Sequence, residues 1–353
     1  MDFAFSADQQ ALRAVARDFL TNEFPIGRVA ELVESEAGWD PGSWKQIHDL
    51  GWLSLSVPED DGGAGMGFLE EAVVFEETGR ALYPGPVFST LALARPALAD
   101  SELLAPVLSG QATATLAWAE DGALGLLDSP RVHADSAGRL TGTKRYVPDL
   151  ALADFAVVVA DTGLHAVDLR ENPGAVLPRP TLDRTRRLGD LVLDETPATH
   201  LPAGREVLDE VRLRSMAALA CEAVGVGSSV LDLASDYART REQFGRPIGS
   251  YQGVSHRIAN IYLAVELARS LAYWAAWAVS AGDASAPLAV AAAKSEAAEA
   301  AVFACENAIQ ALGGIGFTYD HPLHRFYKRA QGIDVFEGTG AAQRAEIAAA
   351  LLD

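Results

Sequence analysis

Helical periodicity brackets a single block of strand-like sequence, and that order constrains the fold more than any other feature of the chain. Ser6 is placed to cap a first helix, with Gln9 three residues on and Leu12, Val15 and Phe19 following at helical spacing. A second helical pattern runs from Trp44 to Leu50 and stops at Gly51. Trp52 to Val57 is short and alternating, Pro58 to Gly67 is an acidic, glycine-rich loop, and Phe68 to Leu82 is helical again. From about Gln111 to Leu201 the period changes. Phe155 to Ala160 and Leu191 to Leu193 read as buried strands, and Gly138, Gly142, Gly163 and Gly189 sit at turn positions of a compact antiparallel sheet or barrel. Beyond Glu206 the helical period returns. Ile258, Ile261, Tyr262, Val265 and Ala268 form one stripe, and Ala286 to Ala308 has strong helix propensity. The fold class is therefore α+β, mainly α, in three parts: 1–110 helical, 111–205 β, 206–353 helical.

Composition narrows the partners. The 353 residues carry a formal charge of -20, which argues against nucleic acid and anionic membrane. Cys221 and Cys305 form neither a disulfide framework nor a metal-ligand spacing. The first residues lack the charged start and apolar run of a signal peptide, and no apolar run approaches the ~18 residues of a membrane span, so a reducing cytoplasm is expected. His321 and His324 have no third convergent ligand, and no metal is expected. Ser255-His256 shows no partner for nucleophilic catalysis. Gly62 to Gly67 fits no dinucleotide fingerprint, because no Gly-x-Gly-x-x-Gly register and no βαβ unit surround it.

Two clusters carry chemistry. Gln310-Ala-Leu-Gly313-Gly314-Ile-Gly316 ends a helix where backbone can approach a ligand, and Phe336-Glu337-Gly338-Thr339 puts a carboxylate beside a flexible turn. Arg241-Glu-Gln-Phe244-Gly245 offers a guanidinium fork and an aromatic face in one turn, suited to a pyrophosphate beside a planar ring. Each has a plainer reading: Glu337 as a helix-end charge, Arg241 as a surface ion pair, Gln310 with its glycines as a helix C-cap.

Taken in order, these segments resemble the acyl-CoA dehydrogenase family over nearly the whole length. The N-terminal Phe5 to Arg13, Leu50-Gly51-Trp52 through Val57-Pro58-Glu59 to Gly65, Arg241 to Gly245, Gln310 with Gly313 to Gly316, and Glu337-Gly338-Thr339 with Gln343-Arg344 carry the likeness. The resemblance implies an N-terminal helical domain, a central β-barrel-like domain and a C-terminal four-helix bundle. It implies an FAD flavoprotein that oxidises the Cα–Cβ bond of an acyl-CoA, a carboxylate taking the α-proton while the β-hydrogen leaves as hydride. Glu337 matches one family position for that base; the other falls at Ser215, which has no carboxylate. Arg241, Phe244, Gln310, Gly313, Gly314 and Thr339 match positions of FAD contact, serving the flavin of a neighbouring subunit. An electron-transfer flavoprotein is the family's usual acceptor, and a homo- or hetero-oligomer, dimer or tetramer, is its usual assembly. Leu271, Trp274, Trp277 and Val279, apolar on more than one helix face, agree with association.

Departures fall in the β-domain. The family's Thr-Glu-Pro…Gly-Ser-Asp loop corresponds to Trp118-Ala-Glu-Asp121-Gly-Ala, and its Trp-Ile-Thr/Ser segment to Lys144-Arg-Tyr146-Val-Pro148. Hydroxyls that contact flavin in the family are missing from both, and Ala341 stands where a glutamine often contacts adenine. The resemblance is to shorter actinobacterial-type members, some of which share sites between unlike subunits; that leaves a half-site or non-catalytic partner subunit as the alternative role.

Overall fold

A computed structural model describes residues 5–121 and 129–352. Its helices in chain order are α1 (Ala7–Glu23), α2 (Ile26–Glu34), α3 (Gly42–Asp49), α4 (Phe68–Ala81), α5 (Arg95–Ala97), α6 (Leu104–Leu108), α7 (Val207–Thr240), α8 (Gln252–Ser280), α9 (Ala286–Leu312), α10 (Leu323–Val335) and α11 (Gly340–Leu352). Cα proximity divides the chain into two compact units. One holds the chain up to Ala30, Phe68–Tyr83 and everything from Met216; the other holds Glu31–Gly67 and Pro84–Ser215. The element types change near the boundaries read from the sequence, whereas the compact units distribute the early helices between both groups.

α1 begins as its sequence dictates. The Ser6 hydroxyl accepts from Gln9 N at 3.1 Å and the Gln9 side chain accepts from Ser6 N at 2.9 Å, satisfying two otherwise orphaned donors. Its inward stripe is rotated from the expected one: Ala16 and Leu20 are buried, while Val15 is 48% exposed. Tyr262 on α8 is likewise turned outward, at 54% exposed, leaving Ile261, Val265 and Ala268 to face the bundle. α3 ends where Gly51 takes a φ of 76°, a left-handed turn that glycine adopts without strain.

The β-rich unit contains β1 (Ala114–Ala117), β2 (His133–Ala134), β3 (Arg139–Pro148), β4 (Phe155–Ala160), β5 (Gly163–Asp168), β6 (Val176–Arg179), β7 (Leu188–Pro197) and β8 (Thr199–His200). They form two four-stranded sheets, β1-β4-β5-β8 and β2-β3-β7-β6. Ala117, Val158 and Val167 from one sheet and Leu140, Val147 and Leu191 from the other share a single core. The pairing is antiparallel throughout except β1 with β4, which is parallel where an antiparallel sheet was expected. The chain between those two strands crosses through β2 and β3 in the other sheet, supplying the long connection that parallel strands need.

In the helical unit, α4 and α7 meet backbone to backbone. A Cβ at Gly79 would lie 2.2 Å from Glu222 O, and one at Gly225 would lie 2.0 Å from Glu76 O. The Glu76 carboxylate, buried on α4, is held by Arg13 at 3.1 Å, by the Tyr273 hydroxyl at 2.6 Å and by Arg269. Burial alone would raise its pKa; the two guanidinium groups and the tyrosine outweigh that and hold it below the usual carboxylate range. Gly225→Ala is therefore expected to lower stability by about 1–3 kcal/mol, the usual cost of overpacking. An unchanged midpoint in thermal denaturation would show that the helices can part without loss.

Against the expectation of no membrane-length apolar segment, two helices reach that length and mean hydropathy: Val207–Thr240 and Ala286–Phe317. The sequence reading counted unbroken apolar runs, which charged residues interrupt here, whereas alanine carries the mean. The most apolar window of the first is 78% buried and that of the second 39%.

Candidate functional site

The end of α7 fixes the root of Arg241. Its N–H still donates to Tyr237 O at 2.8 Å and its carbonyl accepts from Ile248 N at 2.8 Å, while its guanidinium has no ion-pair partner among the described residues. The chain then forms a two-residue hairpin between β9 (Glu242–Gln243) and β10 (Arg246–Pro247), with Phe244 at φ 53° and Gly245 at φ 79°. Two successive positive φ values are the type I′ pattern, where asparagine or aspartate normally precedes glycine. A phenylalanine in that place is strained, and it is also 93% exposed. Tyr251 braces the turn: its hydroxyl donates to Gln243 O at 3.0 Å, its ring meets Phe244 edge-on at 6.4 Å, and Arg246 lies 4.1 Å over its face.

Opposite, α9 stops at Gly313, φ 66°, and neither Gly313 nor Gly314 has any heavy atom within 4 Å of where a Cβ would lie. Tyr237, Arg241, Phe244, Tyr251, Gly313 and Gly314 line one cleft of about 670 Å³. The two sequence clusters, some seventy residues apart, thus converge. A guanidinium on a fixed backbone root with no ion-pair partner among the described residues, bare backbone and an exposed ring suit a phosphate-bearing, planar ligand, and the donor set fits the pyrophosphate half of FAD. Gln310, exposed on the last turn of α9, lies outside this lining.

Glu337 occupies a separate place, in the connection between α10 and α11. It takes φ 55° and is 8% exposed, so it is a buried, strained carboxylate instead of a solvated helix-end charge. Its carbonyl accepts from the buried Gln343 side chain at 2.7 Å. The Lys294 ammonium, on α9, donates to Asp334 O and to Gly338 O, each at 2.9 Å, and Ser295 Oγ donates to Gly340 O at 3.3 Å. A Cβ at Gly340 would lie 2.4 Å from Glu299 Oε1, so the Glu299 side chain would have to swing aside to admit one. Thr339 is exposed beside it. Neither Glu337 nor Thr339 lines the Arg241 cleft within this chain. Sequence reasoning missed Lys294, since a lysine in an alanine-rich helix reads as solvated. The signal was present: Val290, Ala291, Ala297 and Ala298, its neighbours one turn away, are all apolar.

The β-domain stretches singled out by the sequence are engaged in ion pairs. Glu120 and Lys144, both fully buried, meet at 2.6 Å, and Glu120 also accepts from Arg131 N and Val132 N. Burial pushes the Lys144 ammonium below its usual value. Burial pushes Glu120 up, but the hydrogen bonds from Lys144 and the two backbone amides outweigh it and hold the carboxyl low. Arg145 pairs with Asp121 and Asp190, and Arg179 pairs with Asp190 while lying 4.9 Å over the Tyr146 ring. Pro148 closes the ladder opposite Leu188. Gly122 and Ala123 of the first stretch lie outside the described residues. Ser215 is buried in α7 and donates to Arg212 O at 3.0 Å.

The remaining motifs stay structural. Ser255 Oγ donates to Tyr251 O at 3.2 Å. Tyr319 and His324 pack edge to face, and among the described residues no group of three or more potential ligands gathers for a metal. Cys221 and Cys305 are buried, unbridged thiols, and burial pushes both pKa values up.

Comparison with known proteins bears on nearly all of the chain. The profile of the acyl-CoA dehydrogenase N-terminal domain matches residues 6–100, and that of the C-terminal domain matches 206–352. Acyl-CoA dehydrogenase IpdE2 of Mycobacterium tuberculosis is 30% identical over 330 residues, covering 92% of this chain and 91% of that protein. The human mitochondrial short-chain specific acyl-CoA dehydrogenase is 30% identical over 386 residues, covering 97% and 90%. Among solved structures, the ChsE4-ChsE5 complex from Mycobacterium tuberculosis superposes with a TM-score of 0.89 at 30% identity, over 100% of this chain and 99% of that one.

Proposed function

The chain belongs to the acyl-CoA dehydrogenase family, flavin-dependent oxidoreductases that act on acyl-CoA with FAD, and from that premise we propose that Glu337 removes the α-proton of the thioester substrate. FAD, when bound, accepts the β-hydrogen as hydride, so that Cα and Cβ become doubly bonded. Glu337 takes the proton from a buried position in the connection between α10 and α11. Arg241 holds the pyrophosphate, Phe244 covers a face of the ligand, and Gly313 and Gly314 let backbone approach it. Thr339, exposed beside Glu337, would add a contact from its own loop, whereas Gln310, outside the cleft lining, is assigned none. The observation that carries this reading is the convergence of Arg241, Phe244, Gly313 and Gly314 on one cleft while Glu337 lies elsewhere in the chain. Such a division suits a flavin site completed by two subunits, the cleft serving a neighbour's FAD. An electron-transfer flavoprotein as the acceptor belongs to the same reading.

Arg241→Ala is expected to lower flavin occupancy about tenfold or more, the loss of at least one charge-assisted bond to phosphate. Flavin content measured by absorbance after dialysis checks it. Unchanged occupancy would return Arg241 to the role of a surface charge.

One observation favours a second reading, in which the chain is one of two unlike subunits and its β-domain faces no flavin. Glu120 with Lys144, and Arg145 with Asp121, form ion pairs in the stretches where the family carries flavin-contacting hydroxyls. The ChsE4-ChsE5 structure is itself a complex of two chains by its name. The mass and flavin content of the protein, purified alone and with a co-expressed neighbour, separate the readings. A yellow homo-oligomer with one flavin per chain, bleached by an acyl-CoA, supports a complete enzyme. A colourless chain that turns yellow only with its neighbour, at one flavin per two chains, supports the half-site.

A further inference from the structure

We propose that Lys294 is a positioning residue for proton abstraction: from α9 it anchors the backbone on both sides of Glu337 and places a cation beneath the loop that presents the carboxylate. The proposal rests on the reading of Glu337 as the base. Its physical ground is the distribution of hydrogen bonds. α10 ends at Val335, so its last carbonyls have no partners within the helix. Lys294 Nζ accepts that task at Asp334 O and, across the turn, at Gly338 O. One ammonium thereby ties the carbonyl three residues before Glu337 to the carbonyl one residue after it, across the strained φ of Glu337. Gln343 fixes the carbonyl of Glu337 itself, and Ser295, the next residue of α9, fixes Gly340 O.

A lysine is an expensive choice for a purely mechanical tie. Its ammonium is fully buried, and burial lowers its pKa to about 8, opposed by the neighbouring charges of Asp334 and Glu337. The sign of that last interaction matters. A cation that Glu337 stabilises must in turn stabilise the Glu337 carboxylate. Removing it raises the pH at which the base loses its proton, whereas loss of a mechanical brace would leave that pH where it was.

The test compares wild type, Lys294→Met and Glu337→Gln, each as the flavin-loaded complex. Lys294→Met keeps the length of the side chain without donors or charge, and Lys294→Gln, which retains one donor, serves with the same readouts if the methionine variant fails to fold. Three results are expected. Turnover falls at least about tenfold with KM within about threefold, as misplacement of a reacting group predicts. The acid limb of kcat/KM moves to higher pH. Backbone amides of 334–343 exchange hydrogen faster by mass spectrometry, a readout independent of catalysis. A folded, flavin-loaded variant with turnover within about threefold of wild type and unchanged amide exchange overturns the proposal. Faster exchange with an unmoved acid limb also overturns it, reducing Lys294 to a brace. If Glu337→Gln is inactive while the lysine variant is not, the positioning role alone fails. If Glu337→Gln turns over normally, the base assignment fails first.

Discussion

Glu337→Gln is expected to slow turnover at least ~10²-fold, the lower end for losing a general base, while flavin content and thermal stability stay close to wild type. Glutamine keeps the size of the side chain and one acceptor, but it cannot take a proton from carbon. The backbone ties of the loop reach the Glu337 carbonyl and its neighbours, and glutamine leaves all of them in place. The check is the rate at which an acyl-CoA bleaches the flavin in a rapid-mixing experiment. A rate near wild type would remove Glu337 from the reaction and move the base to a partner chain.

Glu120→Gln is expected to have the largest effect on stability, about 3–5 kcal/mol. The carboxylate accepts from Lys144 Nζ at 2.6 Å and from the backbone amides of Arg131 and Val132. An amide would turn an N–H toward one of those donors and leave the buried Lys144 cation without its counter-charge. Because the Glu120 pKa is held below its unfolded value, the stability it contributes is present at neutral pH. That contribution is lost as pH falls through the depressed folded value. Denaturant titration measures the difference. A loss under about 1 kcal/mol would mean that water reaches the pair. The double variant Glu120→Leu/Lys144→Met is expected to recover part of the loss, since apolar replacement of a buried pair is often neutral or better.

Much of this architecture was legible because its signals are local. The Ser6–Gln9 capping box, the stop at Gly51 and the strand Phe155–Ala160 each depend on a few adjacent residues, and each lies where the sequence placed it. Features settled by distant partners were not legible. Val15 and Tyr262 fit a helical stripe yet face outward, because the width of the buried face depends on which helix lies against it. The parallel pairing of β1 with β4 depends on the path of β2 and β3, which no local alternation reveals. The site divides in the same way. Arg241, Phe244, Gly313 and Gly314 stood out by residue type in two separate clusters, and only the fold shows that they line one cleft. Gln310 stood out equally but lies outside the cleft lining, and Lys294, hidden by its own charge type, ties the backbone on both sides of Glu337.

The discontinuity of the helical unit governs the order in which the chain can mature. α4 lies in sequence between two pieces of the β-rich unit, and its buried Glu76, paired with Arg13 of α1, finds its remaining partners nearly two hundred residues later, at Arg269 and Tyr273. During synthesis from the N-terminus, α4 therefore emerges with α1 already available, Arg13 and Arg17 facing Glu76 and Glu77, but long before α8 exists to complete the Glu76 site. The β-rich unit is complete in sequence by Ser215 and can condense first, while α1 and α4 wait for α8 to leave the ribosome. Closing so long a loop is slow more than it is costly, because its entropy grows only with the logarithm of length. The nascent chain thus passes through a long interval in which the Glu76 site is closed from the α1 side alone.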